Sequence, residues 1–276
     1  MSDATARRSV IELFEKHDVV LLGENHGVRE NFDFIRSLIP ELHAAGVRHI
    51  ALEFAANERQ QQADELVLGK TYDEQVSRDM LFAYNVAWPY IEYQDVHKHV
   101  WSFNQTVEDK MRVLHASFIY DWSQWQGTRD QESMKLVMHR GDYNKFRADR
   151  ISESLSKGGK VLGIFGAVHA ARDKRNLELF GLAADAQTLG MLLENAFPDR
   201  VASVNLNGAA SGFWDLEVFT SQTFGTCAID TRFLSGRNFS EVQANWPDPD
   251  WTACPANEDE FWQLIRERKT SLQPLD

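Results

Sequence analysis

The chain has 276 residues, 41 acidic against 29 basic, for a net charge of −12. That balance, with no run of Lys and Arg, argues against nucleic-acid binding, because the acidic field repels phosphate backbones. Cys227 and Cys254 make neither a CxxC pair nor a zinc-finger spacing, no apolar stretch is long enough for a membrane span, and the first residues lack the apolar core of a signal peptide.

The reading is therefore one cytoplasmic α/β domain over 1–276, with no membrane or nucleic-acid partner, acting on a small-molecule or peptide substrate. In chain order, Asp18–Leu22 (DVVLL) is an apolar run expected as a strand buried on both faces. GENHG follows as a turn. Val28, Phe32, Ile35, Ile39 and Leu42 then lie on one helical face, with Gly46 placed to end the helix. His49–Phe54 (HIALEF) reads as a second strand, so the unit predicts parallel strands joined by a crossover.

Residues 57–157 are expected as a helix-rich insertion or lid on a mostly parallel sheet flanked by helices. Between Tyr84 and Trp125 stand ten aromatic residues in 42 positions, read either as an apolar pocket or as packing of the insertion on the core. Arg112–Tyr120 is a candidate strand within it, and Asp142–Ser156 a helix. Lys160–Phe165 (KVLGIF) and Val201–Leu206 are further strands, and Pro247, Pro249 and Pro255 mark loops near the end.

Chemistry concentrates at two strand ends. Gly23-Glu24-Asn25-His26 follows the first strand and Gly166-Ala167-Val168-His169 follows KVLGIF; in each, the glycine is expected to let the chain turn at the mouth of the sheet. Glu53 closes HIALEF and should project at the same edge, with Glu24 beside His26. Arg36, at the margin of its helix's buried face, is expected to reach back toward the two glutamates, and Arg147 lies on the helix before the second GxxH strand.

A His–Glu–His cluster works in one of two ways. His26, Glu53 and His169 could hold a divalent metal (Mn, Fe, Co or Zn) that lowers the pKa of a bound water. Alternatively His26, oriented by a carboxylate, acts as a general base on water, with His169 as an acid and Arg36 or Arg147 stabilising the oxyanion. Glu53, near Glu24, would suffer like-charge repulsion and desolvation, so replacing it by Gln is expected to lower activity without loss of stability.

On VVLLGENHGVREN, ALEFAANERQQQADELVLG and FRADRISESLSKGGKVLGIFGAVHAAR, the chain resembles the superfamily that joins erythromycin esterases, ChaN-like haem-binding proteins, TraB and the Tiki proteases. The ALEF segment is most similar to the ChaN-like branch. The resemblance implies an α/β core with the polar cluster in a cleft, but not one activity: the esterases hydrolyse a lactone with a histidine base, the Tiki proteins are metal-dependent proteases and the ChaN-like proteins bind haem or iron. It leaves a hydrolase of an ester, lactone or amide, with natural-product tailoring as a variant. The alternative is a haem- or iron-binding protein drawing its ligands from histidines and the Tyr84–Tyr93 region.

Overall fold

A computed structural model describes residues 3–26, 28–84, 91–121, 124, 131–173, 186–206 and 214–218. The prolines expected to mark loops near the end, and both cysteines, lie outside these residues. Six parallel strands form one sheet: β1 (Val19–Glu24), β2 (Val47–Ala56), β3 (Arg112–Ser117), β4 (Lys160–Gly166), β5 (Val201–Asn205) and the two-residue β6 (Leu216–Glu217). Their spatial order is β3-β2-β4-β1-β5-β6.

The apolar runs are continuous because both faces of the sheet are covered. Alternate residues of β1 divide between two cores. Val20 and Leu22 face the side packed by α1 (Asp3–Leu13), α2 (Arg29–Ala44) and α5 (Ile91–Asn104), with Phe14, Phe32, Ile35, Leu38 and Val96. Val19 and Leu21 face α7 (Tyr143–Ser156) and α9 (Leu189–Ala196), with Ile151, Leu189 and Leu193. The helical face expected on α2 is buried as its spacing requires: Phe32, Ile35, Ile39 and Leu42 are each at most 2% exposed. Asp142, expected as the first residue of a helix, is the N-cap of α7 instead, its side chain accepting from the Lys145 backbone N–H.

The stretch 57–157 is not simply an insertion. It holds α3 (Gln60–Leu68), α4 (Glu74–Tyr84), α5 and α6 (Gln131–Val137), but also β3, which hydrogen-bonds to β2, and α7, which packs on the sheet. The candidate strand at Arg112–Tyr120 and the candidate helix at Asp142–Ser156 are these two elements, the strand ending at Ser117. Among the described residues no helix is long and apolar enough to cross a membrane.

The strand order positions the site. β2 follows β1 in sequence, yet β4 lies between them, in register Val19↔Val161 to Glu24↔Gly166 on one side and His49↔Val161 to Leu52↔Ile164 on the other. The carboxyl ends of β1, β4 and β2 are thus neighbours, where parallel α/β sheets place ligands. The β2–β3 register breaks between Leu52 and Ala56, around Glu53. Such irregularities re-aim side chains beside functional sites.

Candidate active site at the strand ends

The site is built from six chain segments: β1 with the loop after it, β2, α5, β3, α7 and the junction of β4 with the next helix. Glu24 is the last residue of β1 and is 2% exposed; His26 follows in the loop, its side chain 27% exposed. His26 Nδ1 lies 3.2 Å from Glu24 Oε1, and an ionised carboxylate only accepts, so Nδ1 carries the proton and donates. The same oxygen accepts from the Tyr93 hydroxyl of α5 at 3.2 Å. The His26 ring meets Phe54 edge-on at 5.0 Å, and Phe54 stacks on Tyr93 at 4.4 Å.

The second group centres on Glu53, 4% exposed. Its Oε1 accepts from Arg147 Nη2 at 3.0 Å and from His169 Nε2 at 3.2 Å, and its Oε2 from the Gly166 backbone N–H at 2.6 Å. Arg147, 1% exposed, also donates through Nε to Ser117 Oγ at 3.1 Å, and its guanidinium sits 4.8 Å from the centre of the Tyr143 ring. His169 is in α8 (Ala167–Ala170), its ring edge-on to Tyr143 at 5.2 Å.

The two groups meet over Gly166. A Cβ at that glycine would stand 2.7 Å from His26 Cε1, 2.9 Å from His26 Nε2 and 3.6 Å from Glu53 Oε2. Gly23 likewise makes room, since a Cβ there would stand 3.0 Å from Ala167 Cα. Neither glycine has a positive φ, so the expected sharp turn is not their purpose. They are small so that the His26 ring and the start of α8 can lie against the strand ends.

The electrostatics follow from burial and pairing. Burial pushes the Glu24 carboxyl above its usual range, against the pull of His26 and Tyr93. Burial alone would lower His26, but the Glu24 hydrogen bond and the Glu53 and Glu24 charges raise it above 6.5. The two shifts describe one proton shared within a dyad and retained toward neutral pH. Burial also opposes ionisation of Glu53, yet Arg147, His169 and His26 hold it well below the carboxylate range. His169 is lowered, by burial first and by Arg147, against the attraction of Glu53.

Four of the six candidates, Glu24, His26, Glu53 and His169, therefore converge, with Arg147 as the buried counter-ion of Glu53. Arg36 does not: it pairs with Asp33 and, at 3.7 Å, with Asp95, and donates to the Glu92 carbonyl. From the margin of α2 it turns toward α5 rather than the sheet edge. Arg36 lies away from the cluster, and Arg147 gives Nη2 to Glu53 and Nε to Ser117. Ser117 was missed in the sequence because the expected strand ran on to Tyr120. Ending β3 at 117 puts Ser117 at the same edge as Glu53.

The metal set His26, Glu53 and His169 does not fit. Glu53 already accepts three donors, His169 spends Nε2 on it, and among the described residues no three His, Cys, Asp or Glu are grouped to hold an ion. Tyr93 does not fit haem: it is 2% exposed and its hydroxyl is given to Glu24. The small cavity beside it, walled by Phe32, Leu52, Phe54, Met80, His97 and His115, has room for about one water.

No family model and no curated protein matches the chain. Among solved structures, the type III effector HopBA1 is similar over 80% of this chain and 94% of its own, at 15% identity and a TM-score of 0.51. A Bacillus cereus protein is similar over 75% of this chain and 69% of its own, at 14% identity and a TM-score of 0.50. ChaN of Campylobacter jejuni, solved with cofacial haem, matches over 73% of this chain and 86% of its own, at 18% identity and a TM-score of 0.48. At such identities the likeness to the first two speaks to the α/β fold alone and leaves the chemistry to the site itself.

Proposed function

We propose that the chain is a hydrolase of an ester, lactone or amide that uses His26 as general base without a resident metal. One observation carries the reading: a partly buried histidine at the carboxyl edge of a parallel sheet has Nδ1 held by a buried carboxylate, with its Cε1–Nε2 edge lying over Gly166 at the end of β4. That is the arrangement a base needs, because the partner fixes the tautomer and compensates the imidazolium that forms. His26 Nε2 takes a proton from water, the oxygen adds to the carbonyl, and the imidazolium returns the proton to the leaving group. Glu53, Arg147 and His169 act as support: an ion pair with Gly166 N–H and His169 that holds the floor on which His26 stands.

A base with a raised pKa works only once deprotonated, so kcat/KM should climb with pH through an inflection above 6.5. The test is a panel of ester, lactone and amide substrates assayed with the wild type and with His26→Ala. Turnover that His26→Ala reduces by about 10²-fold or more, at an unchanged fold, supports the reading. No turnover on any substrate, or turnover indifferent to His26, refutes it.

A further inference from the structure

Tyr93 has no place in the chemistry above, yet it touches the dyad where the dyad is most enclosed. It lies in α5, far in sequence from β1, with Val96 and Val100 turned to the same core. Its ring is fixed on two sides, stacked on Phe54 at 4.4 Å with planes 5° apart and met by Phe32 at 4.2 Å. This packing aims the hydroxyl at Glu24 Oε1, the oxygen that also accepts from His26. Among the described residues the other oxygen, Glu24 Oε2, is buried without a hydrogen-bond partner. The carboxylate is thus held through one atom only, and Tyr93 and His26 are its hydrogen-bonding partners there.

We propose that Tyr93 is a positioning residue for the Glu24–His26 dyad, its hydroxyl pinning the Glu24 carboxylate in the ionised form that orients His26. A hydrogen bond donated to a buried carboxylate favours the charged form. Without it, burial leaves Glu24 more often protonated, and His26 loses part of the negative charge that faces it. The other charged and titratable groups around His26 are Glu53 from β2, Arg147 from α7 and His169 from α8. They set the background against which the Tyr93 effect is read. The ring packing makes a second point. Phe at position 93 keeps the stack on Phe54 and the edge contact with Phe32, so Tyr93→Phe removes the hydroxyl and nothing else.

The proposal rests on the dyad reading of the proposed function but is tested without turnover. In histidine-labelled full-length protein, the His26 resonance is identified by its loss in His26→Gln, and its titration midpoint is followed by NMR. Tyr93→Phe is expected to lower that midpoint by about half a pH unit or more, since a charge-assisted hydrogen bond shifts its acceptor by about a unit. In a Glu24→Gln background, Tyr93→Phe is expected to leave the midpoint where it is, because the carboxylate through which it acts is gone. An unchanged or raised midpoint in folded Tyr93→Phe overturns the proposal, and so does a fall of the same size in the Glu24→Gln background. A protein that hydrolyses nothing but shows the expected pattern keeps Tyr93 as positioning residue and removes the hydrolase reading instead.

Discussion

Glu53→Gln separates the site's scaffolding from its chemistry. The carboxylate accepts three donors on two atoms: Arg147 and His169 on Oε1, the Gly166 N–H on Oε2. An amide has one acceptor oxygen and one donor nitrogen, so in either orientation its NH₂ faces a donor. Arg147 stays charged, at 1% exposure, with its counter-ion gone. Breaking a buried pair this way costs about 3–5 kcal/mol, a large share of the roughly 5–15 kcal/mol that holds a domain together. For a chain of this size that lowers Tm by about 6 °C or more. Because the folded carboxyl titrates well below its ordinary 4.5, its contribution is present above that value and is lost as pH falls through the folded pKa. The variant should therefore also show a flatter acid limb. Thermal and urea melts at neutral and acid pH check both. The double variant Glu53→Gln/Arg147→Met, with neither charge, should recover much of the loss. A Tm at or above wild type for Glu53→Gln would refute the ion-pair account and restore the like-charge repulsion with Glu24 that the sequence suggests.

Gly166→Ala should lower activity by about tenfold or more while costing about 1–3 kcal/mol in urea melts, because the new methyl collides with the edge of the partly buried His26 ring, which must shift; activity within twofold of wild type would show that His26 need not stand over β4. Arg36→Ala should leave turnover within about twofold while costing about 1–3 kcal/mol, since its largely buried side chain pairs with Asp33 and Asp95 away from the sheet edge. The buried pair His97–His115, with Nε2 atoms 2.9 Å apart, is held neutral by burial, to about 3 and about 4 respectively. Both folded values lie below 6.5, so the unfolded chain binds more protons as pH falls. Stability should then drop by about 2 kcal/mol per histidine between pH 6.5 and 5, and urea melts of His97→Gln should show about half the slope.

What was legible in the sequence is what periodicity records. Continuous apolar runs marked β1 and β4 as covered on both faces, four- and three-residue steps marked the buried face of α2, and two GxxH segments after such runs marked the mouth of a parallel sheet. Glu53 stood out because a carboxylate closing a buried strand must find a partner. Which partner it finds is not local. Arg36 and Arg147 look alike along the chain, each on a helix beside a candidate strand. Only the placement of β4 between β1 and β2 brings α7 and Arg147 over Glu53, while α2 turns Arg36 toward Asp95. Tyr93 reads as one aromatic among ten, and its hydroxyl reaches Glu24 only because α5 packs on the face of the sheet where β1 ends. Side-chain period and turn chemistry are written in neighbouring residues; strand order and the pairing of distant charges come from contacts between segments far apart in the chain, and the tertiary structure alone decides them.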